Sequence, residues 1–103
     1  MDEGKIIELT EQLEELTKGV TIRGDKPEEM PPTLPIFEEI WWEVKHCQFC
    51  LSELGKAQSR MEMLSAHCTR DTRYKAAREC RTALRLLRRR ALGEDYGHGA
   101  DLE

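Results

Sequence analysis

The stretch YKAARECRTALRLLRRRALGED, Tyr74–Asp95, decides how the rest of the chain is read. Apolar residues recur at Ala77, Cys80, Leu84, Leu87 and Ala91, in the steps of three and four that put one face of an α-helix against a core. Arg78, Arg81, Arg85 and Arg88 follow one position behind, so a basic stripe runs beside the apolar one. From Arg70 to Arg90 there are eight arginines and one lysine. The planar guanidinium suits bidentate contact with phosphates or carboxylates.

Upstream the same rhythm runs through Phe37, Ile40, Val44, Cys47, Leu51 and Leu54, and Trp41, Trp42 and Phe49 widen its face. Met61, Leu64 and Cys68 carry the spacing onward. The pattern predicts one long, kinked helix or two nearly collinear ones. Gly55 is the weak point, because an interior glycine costs about 1 kcal/mol relative to alanine. A break is expected near Thr69–Thr72, with Asp71 or Thr72 placed to cap the Arg-rich helix.

At the N-terminal end, Ile6, Leu9, Leu13 and Leu16 mark an amphipathic helix capped by Asp2. Glu14 and Lys18 form a favourable i, i+4 pair and Gly19 stops the helix. VTIR, Val20–Arg23, reads as a short extended segment, too short to build a sheet. The stripe of this helix packs on the rest of the fold or is offered to another protein. All four prolines, Pro27, Pro31, Pro32 and Pro35, fall between Gly24 and Pro35, which marks a stiff linker.

These signals predict an all-α chain: a helical hairpin or extended helical bundle with a separate N-terminal amphipathic helix and a disordered acidic tail. The expected divisions are 1–23 (acidic helix and short extended segment), 24–35 (linker), 36–92 (helical core with a basic second arm) and 93–103 (tail). At 103 residues the core is modest and only marginally stable unless shared with a partner. The formal charge of −4 conceals a separation: residues 1–45 hold twelve acids against five bases, and residues 46–92 eleven bases against four acids. That asymmetry suits an anionic partner for the second half, or acidic segments folding back on it. No apolar run is long enough to span a bilayer and MDEGK lacks the core of a secretory signal, so a cytoplasmic, nuclear or nuclear-envelope setting is expected.

HCQFC, His46–Cys50, followed by His67-Cys68, supplies the ligand types zinc takes, and Cys47, Cys50, His67 and Cys68 are the candidate metal ligands. Sixteen residues separate Cys50 from His67, so the site would need a chain reversal between them. The favoured reading makes Cys47, Cys68 and Cys80 small buried hydrophobes, and no cofactor is expected apart from that possible zinc. The chain carries no glycine-rich phosphate loop and no nucleophile with its base, so it reads as no enzyme and takes no small-molecule substrate.

For the basic helix three roles compete: phosphate contacts with RNA or DNA, shallow contact with an anionic membrane, or a bundle helix whose arginines pair with the acidic first half. Tyr74 is the only aromatic interleaved with the bases, which weakens base stacking as a source of sequence-specific recognition. The candidate anion-binding residues are Arg73, Lys75, Arg78, Arg81, Arg85, Arg88, Arg89 and Arg90.

The segment AARECRTALRLLRRRALGE, Ala76–Glu94, resembles the signature of the ESCRT-III family, the charged multivesicular body proteins, and most nearly its nuclear-envelope branch with winged-helix domains. Arg81, Thr82, Ala83, Leu84, Leu87, Arg88, Arg89, Arg90, Leu92 and Glu94 occupy the matching positions. LSELGKAQSRMEMLSAHC is similar to the amphipathic helix that leads into it, and the likeness extends at most over Phe37–Glu94. In that family the second helix continues well past this point, whereas here the chain turns to GEDYGHG, and the family has no need of HCQFC. The resemblance implies a non-enzymatic subunit that assembles on membranes, with the basic stripe on anionic lipid. It also implies a partner or self-association face made of Phe37, Ile40, Val44, Leu51, Ala77, Cys80, Leu84 and Leu87. An Arg-rich nucleic-acid regulator and a zinc-stabilised adaptor stand as alternatives.

Overall fold

The computed structural model describes residues 1–23, 32–64 and 69–93, with side chains described for 1–18 of the first stretch. Four helices account for them: α1 Glu3–Arg23, α2 Leu34–Val44, α3 Gln48–Met63 and α4 Arg70–Ala91. No strand occurs among the described residues, so the all-α expectation holds. The expected linker at 24–31, His67, Cys68 and the tail from Glu94 onward lie outside the described residues.

Each helix begins where its sequence offers a start. Asp2 Oδ1 accepts from the Lys5 N–H at 3.1 Å and caps α1. Pro35 sits in the first turn of α2, where its missing N–H would have had no partner in any case. Leu34 and Pro35 therefore belong to a helix, not to the linker. Cys47 caps α3, its sulfur accepting from the Cys50 N–H at 3.3 Å. Thr69 caps α4, its Oγ1 accepting from the Thr72 N–H at 3.1 Å, in place of the expected Asp71 or Thr72. Asp71 in the first turn and Arg88, Arg89 and Arg90 in the last complement the α4 dipole. Gly93, at φ 103°, closes that helix in the left-handed conformation that glycine adopts without strain.

Two expected boundaries move. Gly19 does not end α1, which stays helical through Val20–Arg23. Four residues with no partner strand gain nothing from extended geometry, while each further helical residue gains a backbone hydrogen bond. The expected long helix from Ile36 instead breaks between Val44 and Gln48, where Cys47 is extended at φ −112°, ψ 108°. Gly55 lies inside α3 on its exposed side. The break turns α3 back so that Cys50, Leu54, Ala57 and Met61 are buried, which a straight continuation of α2 would leave in water.

The helices form a closed four-helix bundle in which α1 packs on α2, α2 on α3, α3 on α4 and α4 on α1. Asp2 N donates to Glu43 Oε1 at 2.8 Å and Lys5 reaches Glu39 and Glu43, so the start of α1 meets the end of α2. Cys50 Sγ faces Leu87 O, Cys80 Sγ donates to Ala57 O at 3.4 Å, and Arg60 pairs with Glu79, so α3 and α4 run antiparallel. Ala57, Ala76, Ala77, Cys80 and Ala83 are all buried, and these small side chains let the two helices approach closely enough for a thiol on one to reach a carbonyl on the other.

Ile6, Leu9 and Leu13 are buried with Phe37, Ile40, Val44, Leu84 and Leu87. The N-terminal helix is thus a wall of the bundle and not a separate element. Trp41, Trp42 and Phe49, expected to widen the buried face, are exposed instead. Bending the chain after Val44 gives the core Cys50 and Leu54 from α3 in their place.

Candidate functional site

The charge separation written along the chain becomes a separation between sides. Helices α1 and α2 carry eight acids against three bases, and α3 and α4 carry eleven bases against four acids. Because α1 neighbours α2 and α3 neighbours α4 around the bundle, one side is acidic and the opposite side basic.

Lys75, Arg78, Arg85 and Arg90 of α4 are exposed, and Arg73, Arg81 and Arg89 are half-buried. Arg88 departs from this set. Its guanidinium turns into the α1–α4 interface, 2.9 Å from Glu14 Oε2, and donates to Thr10 Oγ1 at 2.8 Å. Arg88 is therefore a tether between helices and not part of the outer basic surface. Glu14 is taken from the expected pair with Lys18, which binds Glu15 at 3.1 Å.

The basic side holds a groove of about 750 Å³ between α3 and α4. Lys56 and Arg60 line it from α3, and Tyr74, Lys75, Arg78 and Glu79 from α4. Arg60 is paired with Glu79 at 2.6 Å and Lys56 with Glu53 at 3.2 Å. Lys75 and Arg78 have no ion pair among the described residues, so their charge faces outward, next to the 40% exposed ring of Tyr74. Sequence spacing within α4 finds Lys75 and Arg78 but not Lys56 and Arg60, which arrive from another helix. Their only local signal is their i, i+4 spacing on the polar face of α3.

The eight residues expected to form a partner face lie inside. Phe37, Ile40, Val44, Ala77, Cys80, Leu84 and Leu87 are buried at 2% exposure or less, and Leu51 is half-buried against them. The apolar stripe of α4 is consumed by the chain's own bundle. Two indoles stay exposed together: Trp41 and Trp42 meet edge to face at 5.1 Å, with Lys45 Nζ 4.2 Å from the Trp42 centroid, among Glu38, Glu39 and Glu43.

Cys47 and Cys50 differ sharply for residues three apart. Cys47 is half-buried, and its thiol is held below the ordinary value, first by the hydrogen bond from the Cys50 side chain and then by backbone N–H groups of the first turn. Cys50 is buried, and desolvation, followed by the hydrogen bond and charge of Cys47, pushes it up to about 12. Cys50, not Cys47, is the buried thiol of the pair. Cys80 is likewise raised to about 12, by desolvation and then by Glu14. His67 and Cys68 fall outside the described residues, and no group of three potential metal ligands occurs among the described ones. No helix among the described residues is long and apolar enough to cross a membrane. Nothing matches this chain among protein-family models, curated proteins or solved structures.

Proposed function

We propose that this chain is a non-enzymatic helical interaction module that docks through its α3–α4 side on the phosphodiester backbone of a nucleic acid. The observation that carries this reading is the one-sided clustering of cations, with Lys56, Arg60, Lys75 and Arg78 converging on one groove from two helices. Surface cations suffice for phosphate contact, and the exposed Tyr74 adds one ring for a base to stack on.

Assembly on an anionic membrane in the ESCRT-III manner draws on the same cations but also needs an apolar stripe free for neighbours or lipid. Here the α4 stripe is buried, and the exposed indoles stand among carboxylates that repel anionic lipid. Gel shifts with duplex RNA and DNA, run beside co-sedimentation with phosphatidylserine vesicles at low and moderate salt, test the choice. The proposal expects nucleic-acid binding that falls steeply with salt. Tighter binding to vesicles than to nucleic acid returns the membrane reading, and binding to neither removes the polyanion as partner.

A further inference from the structure

The first turn of α3 sets two thiols together at the end of the bundle where α4 finishes. Cys47 is the partly accessible N-cap, Cys50 is buried one turn on, and the Cys50 N–H points at Cys47 Sγ across 3.3 Å. Cα atoms three apart on a helical turn lie about 5 Å from each other, within the Cα separation of about 4.4–6.8 Å that a disulfide bridges. Helices are capped by preference with Ser, Thr, Asp or Asn, so the demands of α3 do not account for a cysteine in this place. The N–H groups of the first turn and the positive end of α3 favour a thiolate at Cys47. Beside the pair, Phe49, Leu86, Arg89, Arg90 and Gly93 line a cleft of about 570 Å³, with the Arg90 guanidinium 4.5 Å above the Phe49 ring. The cleft joins an apolar wall to positive charge.

We propose that Cys47 and Cys50 form a redox-active dithiol that exchanges with a small anionic disulfide of the glutathione class, seated against Phe49 and Arg90. The Cys47 thiolate attacks one sulfur of the bound disulfide, forming a mixed disulfide at Cys47. The first thiolate leaves and takes up a proton from solvent. Cys50 then gives its proton to solvent and attacks Cys47 Sγ, which expels the second thiolate, itself protonated on leaving. Two protein thiols become one disulfide, two electrons pass to the small disulfide, and two small thiols are released. The exchange is stoichiometric and stands apart from the polyanion reading. Cys80, buried with its thiol donating to Ala57 O, takes no part.

The test incubates the full chain with oxidised and reduced glutathione at graded ratios, traps free thiols with a maleimide and maps cysteines by mass spectrometry. Trypsin leaves both residues on one peptide, His46–Lys56. The expected product is that peptide lighter by two hydrogens, reversed by excess reduced glutathione. Cys50→Ser should hold the glutathione adduct on Cys47. Cys47→Ser, whose hydroxyl preserves the cap, should abolish both the disulfide and the adduct. Arg90→Gln should slow oxidation by glutathione disulfide roughly fivefold at low salt, about the worth of one unit charge at 4 Å in water, and leave oxidation by neutral bis(2-hydroxyethyl) disulfide unchanged. Free thiols at both positions throughout, or adducts that never resolve onto Cys50, would overturn the dithiol. Equal slowing of both reagents by Arg90→Gln would overturn the anionic cleft.

Discussion

Arg88 of α4 and Glu14 of α1 face each other at 2.9 Å with side chains only 11% and 17% exposed, and Arg88 also donates to the buried Thr10 hydroxyl. Most of the basic helix looks outward, yet this one arginine joins the first helix to the last. A half-buried ion pair gains little over a well-packed apolar pair, but losing one partner strands the other charge.

Arg88→Met or Glu14→Leu alone should therefore each destabilise the fold by about 3 kcal/mol. The two together should cost clearly less than the sum of the single changes. Urea unfolding followed by circular dichroism, arranged as a double-mutant cycle, measures this. Additive losses would show that the two charges are not coupled.

The buried thiol of Cys80 makes stability depend on alkaline pH. Its value rises from 9.0 to about 12 on folding, so the native state keeps a proton that the unfolded state gives up. Stability from this group is whole below pH 9.0 and declines as pH climbs towards about 12. The slope is about 1.4 kcal/mol per pH unit for one thiol. Unfolding free energies at pH 8 to 10.5 should fall more steeply for the native chain than for Cys80→Ala. Parallel slopes would count against a buried thiol there.

Native-state alkylation separates the thiols by access and by charge. Cys47, half-buried and with its thiol held below the ordinary value, should react with iodoacetamide well before Cys50 or Cys80. Timed labelling with peptide mapping reads the order. Cys80 reacting first would contradict the packing of α3 on α4.

On the basic side, Lys75→Glu with Arg78→Glu should weaken polyanion binding at least tenfold and flatten its salt dependence, with stability changing by less than about 0.5 kcal/mol per site. Glu8→Gln, Glu11→Gln and Glu15→Gln should strengthen binding only slightly. These carboxylates are exposed on α1, around the bundle from the groove, and screening over about 8 Å mutes them. A large gain from the α1 changes would mean that the first helix does shield the basic side.

The two indoles give an optical check on the bend after Val44. Trp41 and Trp42 are 43% and 62% exposed, so the folded chain should emit as if its tryptophans were in water and be quenched readily by acrylamide. Trp42→Ala should alter stability by less than about 0.5 kcal/mol. Blue-shifted, protected emission would place α2 the other way round.

Local chemistry wrote much of this protein into its sequence. Steps of three and four mark every helix, Asp2 caps the first, and Gly93 lies just past the last, because a helix needs one buried stripe and closed ends whatever surrounds it. Tertiary structure decided what no local spacing holds. It bent the chain after Val44, because folding α3 back buries Cys50 and Leu54 while Trp41 and Trp42 stay in water. It consumed in the core the stripe that read as a partner face, chose Arg88 from a row of arginines for Glu14, and brought Lys56 and Arg60 beside Lys75 and Arg78. Burial and pairing depend on which helices become neighbours, and that choice belongs to the whole chain.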